Sequence, residues 1–146
     1  MGLFEEQVPA RDAADDEITL VHTPAYLERV KRDVAGLQHA AGYLSTGDTV
    51  VDEHSLDVAR RAAGGAIAAV QAATLHKRAV FAIVRPPGHH AESSRGMGFC
   101  VFNNAAIAAR AFLKEHGGRV LIADFDYHHG NGTQNASGKG ISYMSS

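Results

Sequence analysis

Two uninterrupted apolar runs of strand length stand out along the chain, Ala79-Val80-Phe81-Ala82-Ile83-Val84 and Val120-Leu121-Ile122-Ala123. Runs of this kind belong to strands covered on both faces, as in parallel sheets. Between and before them the pattern is helical. Thr23-Pro24 reads as an N-cap followed by proline at the first helical position, and Ala25 to Val30 continue a helix that Gly36 stops. Ser55 is the expected N-cap of a long alanine-rich helix through Val58, Ala62, Ile67 and Val70 to about Leu75. Inside it, Gly64-Gly65 costs about 1 kcal/mol per glycine relative to alanine, which predicts a compensating close approach, helix on sheet. Another helix is expected from Asn103-Asn104 to Gly117-Gly118, and short strands at Glu17–His22 and Ile141–Ser145. Met1–Asp16 lacks a sustained period and reads as irregular with a short helical turn at best. The stretch from Leu37 to Glu53, punctuated by Gly42, Ser45, Gly47 and Asp48, reads as a loop. Alternating helices and strands without internal repeats predict one α/β layered domain over residues 1–146 with a mostly parallel sheet.

Composition narrows the function classes. With 146 residues and 45% hydrophobic side chains the chain can build one core. A formal net charge of −2 without a Lys/Arg block argues against direct nucleic-acid binding and against an anionic membrane surface. No apolar run approaches the roughly 20 residues of a membrane span. The single cysteine, Cys100, cannot form an intramolecular disulfide, and no signal-peptide pattern opens the chain, so a cytoplasmic setting is the expectation. Cys100 itself reads as packing, since nothing around it marks an activated thiolate. Nine histidines, four of them in two His-His pairs, supply the first chemical hint.

Both pairs follow an apolar run, at what would be the carboxyl edge of the sheet, where open α/β sheets bind ligands. After Val120–Ala123 comes Asp124-Phe125-Asp126-Tyr127-His128-His129-Gly130-Asn131-Gly132-Thr133. Strand alternation would put Asp124, Asp126 and His128 on one side, with Phe125 and Tyr127 on the other. Asp126 and His128 supply two of the oxygen and nitrogen donors that zinc accepts; a capping or surface pair is the bland alternative. His89-His90 follow Pro86-Pro87-Gly88, which fixes the backbone beneath two imidazoles suited to proton transfer; alone they would read as solvated loop histidines. Phe99 can wall a pocket or join the core, and composition favours the core. Two Asn-x-Ser/Thr triplets, at Asn131 and Asn135, are discounted as glycosylation sites without a signal peptide.

Three blocks, Arg85-Pro86-Pro87-Gly88-His89-His90-Ala91, Gly98-Phe99-Cys100-Val101-Phe102-Asn103-Asn104 and Asp124 to Thr133, together resemble the zinc-dependent histone deacetylase family. They look most like its class II members and the bacterial deacetylase-like amidohydrolases. The resemblance implies a three-layer arginase-deacetylase α/β fold and hydrolysis of acetylated amines, acetyl-lysine or an acetylpolyamine. It implies Asp126 and His128 as zinc ligands, His90 as the base that takes a proton from the zinc-held water, and His89 as its assistant. Asp124 would hold His89, and Asn131 would orient His90. Phe99 and Gly98 would line the acyl channel, Asp48 would be the rim aspartate, and the backbone of Asp124, Asp126 and His128 with Ser145 would form part of a potassium site.

Family members run to more than twice this length. The resemblance therefore implies a partial domain, without the family's first strand and without the half that carries the third zinc ligand, an aspartate, and the oxyanion tyrosine. A chain so built is expected to hold zinc weakly or not at all and to be inactive or weak by itself. The alternative is a non-catalytic fold fragment that works by self-association, as a homo-oligomer, or by pairing with a complementary chain. An arginase-like dimanganese site fits less well, because it needs more aspartates than these blocks provide.

Overall fold

The computed structural model describes residues 7–37 and 39–146. The irregular segment expected over Met1–Asp16 therefore lies partly outside the described residues. Its described part is an extended lead-in to α1 (Asp15–Ile18). Arg11 grips Glu17 through two hydrogen bonds of 2.8 and 2.7 Å, and Arg61 and Arg60 pair with Asp12 and Asp15, so this segment is tied onto the helices behind it. The strand expected at Glu17–His22 is absent. α1 and the turn after it occupy that stretch because Ile18 and His22 drop into the core on a helical rather than a two-residue spacing.

α2 (Pro24–Ala35) begins and ends as expected: Thr23 Oγ1 accepts from Tyr26 N, proline occupies the first turn, and Gly36 follows the last helical residue. The loop after it contains one minimal hairpin, β1 (Gly42–Tyr43) antiparallel to β2 (Val50–Val51). α3 (Ser55–His76) starts with His54, not Ser55, at the N-cap. Ser55 turns its hydroxyl back to Asp52, donating to Oδ1 at 2.6 Å and accepting from the Asp52 amide at 2.9 Å.

The Gly64-Gly65 pair does mark a close approach, but its first partner is the N-terminal segment and not a sheet. A Cβ at Gly64 would sit 2.2 Å from the Arg11 carbonyl oxygen and 2.8 Å from the Ala13 amide. Only Gly65 faces the apolar run, 3.0 Å from Val84 Cγ1. α4 (Asn104–His116) is capped by the Asn103 side chain, which accepts from Ala106 N, and stops at Gly117. α3 and α4 pack on each other, and both bury small residues, Ala59, Ala63, Ala106 and Ala108 among them, together with Ile67 and Ile107. The core continues through Ile18, Tyr26, Leu27, Val30, Leu44 and Phe102.

β3 (Val120–Asp124) and β4 (Ile141–Ser145) pair in parallel, Val120 against Ile141 through Asp124 against Ser145. α5 (Asn131–Asn135) lies in the crossover between them. The strand expected at Ala79–Val84 is not realised: the run belongs to neither sheet, and Phe81 and Ile83 are 76% and 87% exposed. An apolar run becomes a strand only when a neighbouring strand takes its backbone hydrogen bonds. Among the described residues the parallel sheet is thus the β3–β4 pair. None of their helices is long and apolar enough to cross a membrane.

Candidate active site

Two segments meet at the carboxyl end of β3: the turn carrying His89 and His90, and the loop from β3 into α5. The turn lies hard against backbone on both sides, which explains its glycines. A Cβ on Gly88 would be 2.5 Å from the Asn104 amide nitrogen, and one on Gly132 would be 2.2 Å from the Ala91 carbonyl oxygen. Thr133 N also donates to the His89 carbonyl at 3.1 Å. With this clamp the two imidazoles lie side by side, ring centroids 4.1 Å apart.

Each imidazole has its own acceptor. His89 Nδ1 is 3.0 Å from Asp124 Oδ2, and His90 Nδ1 is 2.7 Å from Asn131 Oδ1. A carboxylate and an amide oxygen can only accept, so both rings carry hydrogen on Nδ1, and in the neutral imidazole the lone pair then falls on Nε2. Asp124 is fixed in turn: Tyr143 Oη donates to Oδ2 at 3.3 Å, and the Asp126 amide donates to Oδ1 at 3.1 Å. The Tyr143 hydroxyl also accepts from Gly130 N at 2.9 Å. Asn131 Nδ2 donates to Glu92 Oε1 at 2.9 Å.

The β3 ladder ends at Asp124, so the alternation expected to place Asp126 and His128 beside it is not enforced further. Phe125 and Tyr127, expected on the opposite face, are 88% and 96% exposed. Asp126 and His128 come together locally instead. The His128 amide donates to Asp126 Oδ1 at 2.8 Å, and His128 Nδ1 lies 3.3 Å from the same oxygen. That amide hydrogen bond is the main reason the Asp126 carboxyl is held below its ordinary value. The His128 ring stands 6.0 Å from that of His90. A carboxylate and an imidazole, adjacent and open to solvent, are donors of the types zinc accepts and fit two of its four positions. Among the described residues no group of three His, Cys, Asp or Glu side chains converges.

The remaining predicted residues border this centre. Asp48 Oδ1 accepts from Gly98 N at 3.0 Å. Gly98 has φ +56°, and a Cβ there would be 2.4 Å from His90 Cδ2, so glycine is required for the loop to lie on that ring. Phe99 is not a core residue: with φ +65° it projects outward, 75% exposed. Cys100 is fully buried, and burial pushes its thiol up to about 11, which suits packing and not nucleophilic chemistry. Of the carbonyls assigned to a cation site, that of Asp124 accepts from Ser146 N at 3.2 Å and that of Asp126 from Ser146 Oγ at 3.5 Å. The Ser145 hydroxyl is 3.3 Å from His129 Nδ1.

The histone deacetylase domain model matches residues 1–145. The chain belongs to the histone deacetylase family. Within that family it is 39% identical over 142 residues to histone deacetylase HDA1 of Candida albicans, covering 93% of this chain and 17% of that protein. It is 39% identical over 132 residues to the human polyamine deacetylase HDAC10, covering 88% and 20% of the two chains. To the histone deacetylase-like amidohydrolase of Pseudomonas aeruginosa it is 41% identical over 127 residues, covering 86% and 32%. The chain thus spans a third or less of the length of these relatives. The crystal structure of the HDA15 HD domain superposes with a TM-score of 0.86 at 38% identity, over 94% of this chain and 39% of that one. The arginase-deacetylase fold is therefore present here in part.

Three residues of this candidate site escaped the sequence reading. Tyr143 reaches Asp124 because β4 pairs parallel to β3 in the register that sets Tyr143 opposite Ile122, which no local pattern encodes. Glu92 meets Asn131 across 39 residues of chain. His22 lies beneath the turn, its Nδ1 2.9 Å from the Glu92 carbonyl and its Nε2 2.9 Å from Asn103 N. A histidine closing the apolar stretch Leu20-Val21 was the one available signal.

Proposed function

We propose that these residues form part of a zinc-dependent deacetylase site acting on acetylated amines, acetyl-lysine or an acetylpolyamine. The observation that carries the reading is the pair of imidazoles, each presented in one tautomer by its own acceptor, beside the Asp126–His128 donor pair. Zinc held by Asp126 and His128 would polarise the acetyl carbonyl and acidify a water molecule. His90, with its proton held on Nδ1 by Asn131, receives the proton of the attacking water at Nε2. His89, held the same way by Asp124, keeps a second Nε2 lone pair beside it, and Tyr143 with the Asp126 amide keeps Asp124 in place. Gly98 and Phe99, with the Asp48 carboxylate behind the Gly98 amide, border the path by which an acyl chain would enter. A potassium ion would take the carbonyls of Asp124, Asp126 and His128 with Ser145, using the lone pairs that the Ser146 contacts leave open. A cytoplasmic setting suits a lone, buried, reduced Cys100.

Two protein donors hold zinc weakly, so the 146-residue polypeptide is expected to turn over slowly or not at all. Zinc titration by calorimetry, with a fluorogenic acetyl-lysine peptide and an acetylpolyamine as substrates, tests both statements. Asp126→Ala and His128→Ala should each lower zinc affinity by more than about tenfold, since loss of even an outer partner typically costs that much. Any chelator-sensitive turnover should fall by about 10² to 10⁴ in His90→Ala. Zinc affinity indifferent to both ligand substitutions, or turnover surviving His90→Ala, would remove the deacetylase reading. Robust chelator-sensitive turnover by the unmodified polypeptide would remove the inactivity.

A second reading rests on exposed apolar surface. Ile83, Leu121 and Met144 are 87%, 58% and 59% exposed, the last two on the paired strands β3 and β4, and exposed apolar patches mark interaction surfaces. Self-association, or pairing with a complementary chain, would cover it and complete the sheet. A monodisperse monomer in light scattering that binds no apolar dye would exclude this.

A further inference from the structure

Asn131 differs from Asp124 in one respect that matters for the ring it holds. Either oxygen of the Asp124 carboxylate can accept from His89 Nδ1, so turning that carboxylate over leaves the tautomer unchanged. An amide has one accepting and one donating end. Turned over, Asn131 would present Nδ2 to His90 Nδ1, and the ring would answer by moving its proton to Nε2, where it could no longer accept. Three groups face the Asn131 Nδ2 end: Glu92 Oε1 at 2.9 Å, the His90 carbonyl at 3.4 Å and Met97 Sδ at 3.5 Å. The Glu92 carboxylate is the nearest of the three and the charged one. In the turned-over form Asn131 Oδ1 would meet that carboxylate oxygen at hydrogen-bond distance with no proton between them.

We propose that Glu92 is a positioning residue: its carboxylate holds the Asn131 amide in the orientation that keeps the His90 proton on Nδ1 and the Nε2 lone pair free. The proposal rests on the deacetylase reading for why that lone pair matters, but the arrangement itself is a matter of geometry. Glu92 is well placed to act as a fixed point. Its amide donates to the Arg95 carbonyl at 2.9 Å, and its own carbonyl accepts from the buried His22 Nδ1 at 2.9 Å. The side chain therefore springs from backbone anchored on both sides. Charge-assisted hydrogen bonds are roughly twice as strong as neutral ones, so the carboxylate outweighs the two longer contacts together.

The experiment reads the imidazole and not turnover. Two-bond proton–nitrogen correlations of the ¹⁵N-labelled, chelator-treated protein at mildly alkaline pH report which His90 nitrogen carries hydrogen, the His90 signals being assigned from the His90→Gln spectrum. The wild-type chain is expected to show the Nδ1-protonated form. In Glu92→Met the Nε2-protonated population should rise about tenfold or more, as expected for loss of a hydrogen bond to a charged group. Glu92→Gln can offer Asn131 either its oxygen or its NH2 and so holds neither orientation; it too should raise the Nε2-protonated population. Asn131→Asp has no donating end to misplace, so adding Glu92→Met to it should leave the tautomer unchanged. Should Glu92→Met fail to fold, Glu92→Ala takes its place.

An unaltered His90 tautomer in a folded Glu92→Met chain overturns the proposal. So does an equal change with and without Asn131→Asp. Zinc affinity indifferent to both Asp126→Ala and His128→Ala would remove the reading of the preceding subsection and leave these outcomes readable.

Discussion

Acidification should weaken this fold at His22 in a window set by one buried imidazole. His22 is 1% exposed and packed between Tyr26 and Phe102, with ring centroids at 5.3 and 5.5 Å. The Asn103 amide can only donate, so His22 Nε2 must be the acceptor and Nδ1 must carry the hydrogen that the Glu92 carbonyl accepts. A second proton on Nε2 would put two N–H groups face to face in a buried site. Burial accordingly holds the imidazole down to about 4, from 6.5. As pH falls through 6.5 the unfolded chain takes up a proton that the folded chain refuses until about 4. The stability that neutral His22 contributes is whole above 6.5 and drains away across that window. The full loss is about 3 kcal/mol, at up to about 1.4 kcal/mol per pH unit, a large share of the roughly 5–15 kcal/mol that folds of this kind possess.

Urea unfolding followed by circular dichroism checks this on the wild-type chain and on His22→Gln, at pH about 7.5, 6 and 5. The variant should be the less stable at pH 7.5, having lost one of two buried hydrogen bonds, but its midpoint should fall less steeply. By pH 5 the difference between the two chains should have narrowed by about 2 kcal/mol, or about 1 M urea at an ordinary denaturant slope. Carboxylates elsewhere titrate in both chains and cancel in the comparison. Midpoints that fall in parallel from pH 7.5 to 5 would refute the assignment of His22 as a neutral buried donor and acceptor.

Gly64→Ala and Gly65→Ala should part company. The first drives a methyl into the Arg11 backbone and should cost about 2 kcal/mol or more, while the second meets only the partly exposed Val84 side chain and should be near neutral or gain up to about 1 kcal/mol of helix propensity; thermal melts of the two variants decide. Gly98→Ala should cost about 1–2 kcal/mol from the left-handed backbone alone and displace the His90 ring, visible as shifted His90 resonances. A Gly98→Ala chain with wild-type stability and spectrum would mean that the loop does not lie on His90.

Elements that announce their own ends were legible without a structure. Thr23-Pro24 with Gly36, and Asn103 with Gly117, bracket helices because capping and termination are decided within a few residues. Val120–Asp124 and Ile141–Ser145 read correctly as strands since each found the other. Ala79–Val84 has the same composition and did not become one, because strand formation needs a neighbour and composition cannot supply it. Glu17–His22 failed for a related reason: two core positions four residues apart, Ile18 and His22, outweighed a short β-prone run.

The centre divides along the same line. From sequence alone came the chemical inventory: two imidazoles on a proline-braced turn, an Asp-x-His donor pair and two candidate acceptors, in blocks specific enough to mark the family. The family resemblance paired His89 with Asp124 and His90 with Asn131, but only the tertiary structure brings those partners, 35 and 41 residues apart, within 3.0 and 2.7 Å and draws Tyr143, Glu92 and His22 in behind them. The reason is physical. Residue type sets which atoms can donate or accept, whereas which donor meets which acceptor depends on strand register and on the clamp between α4 and α5, both settled by packing across the whole chain.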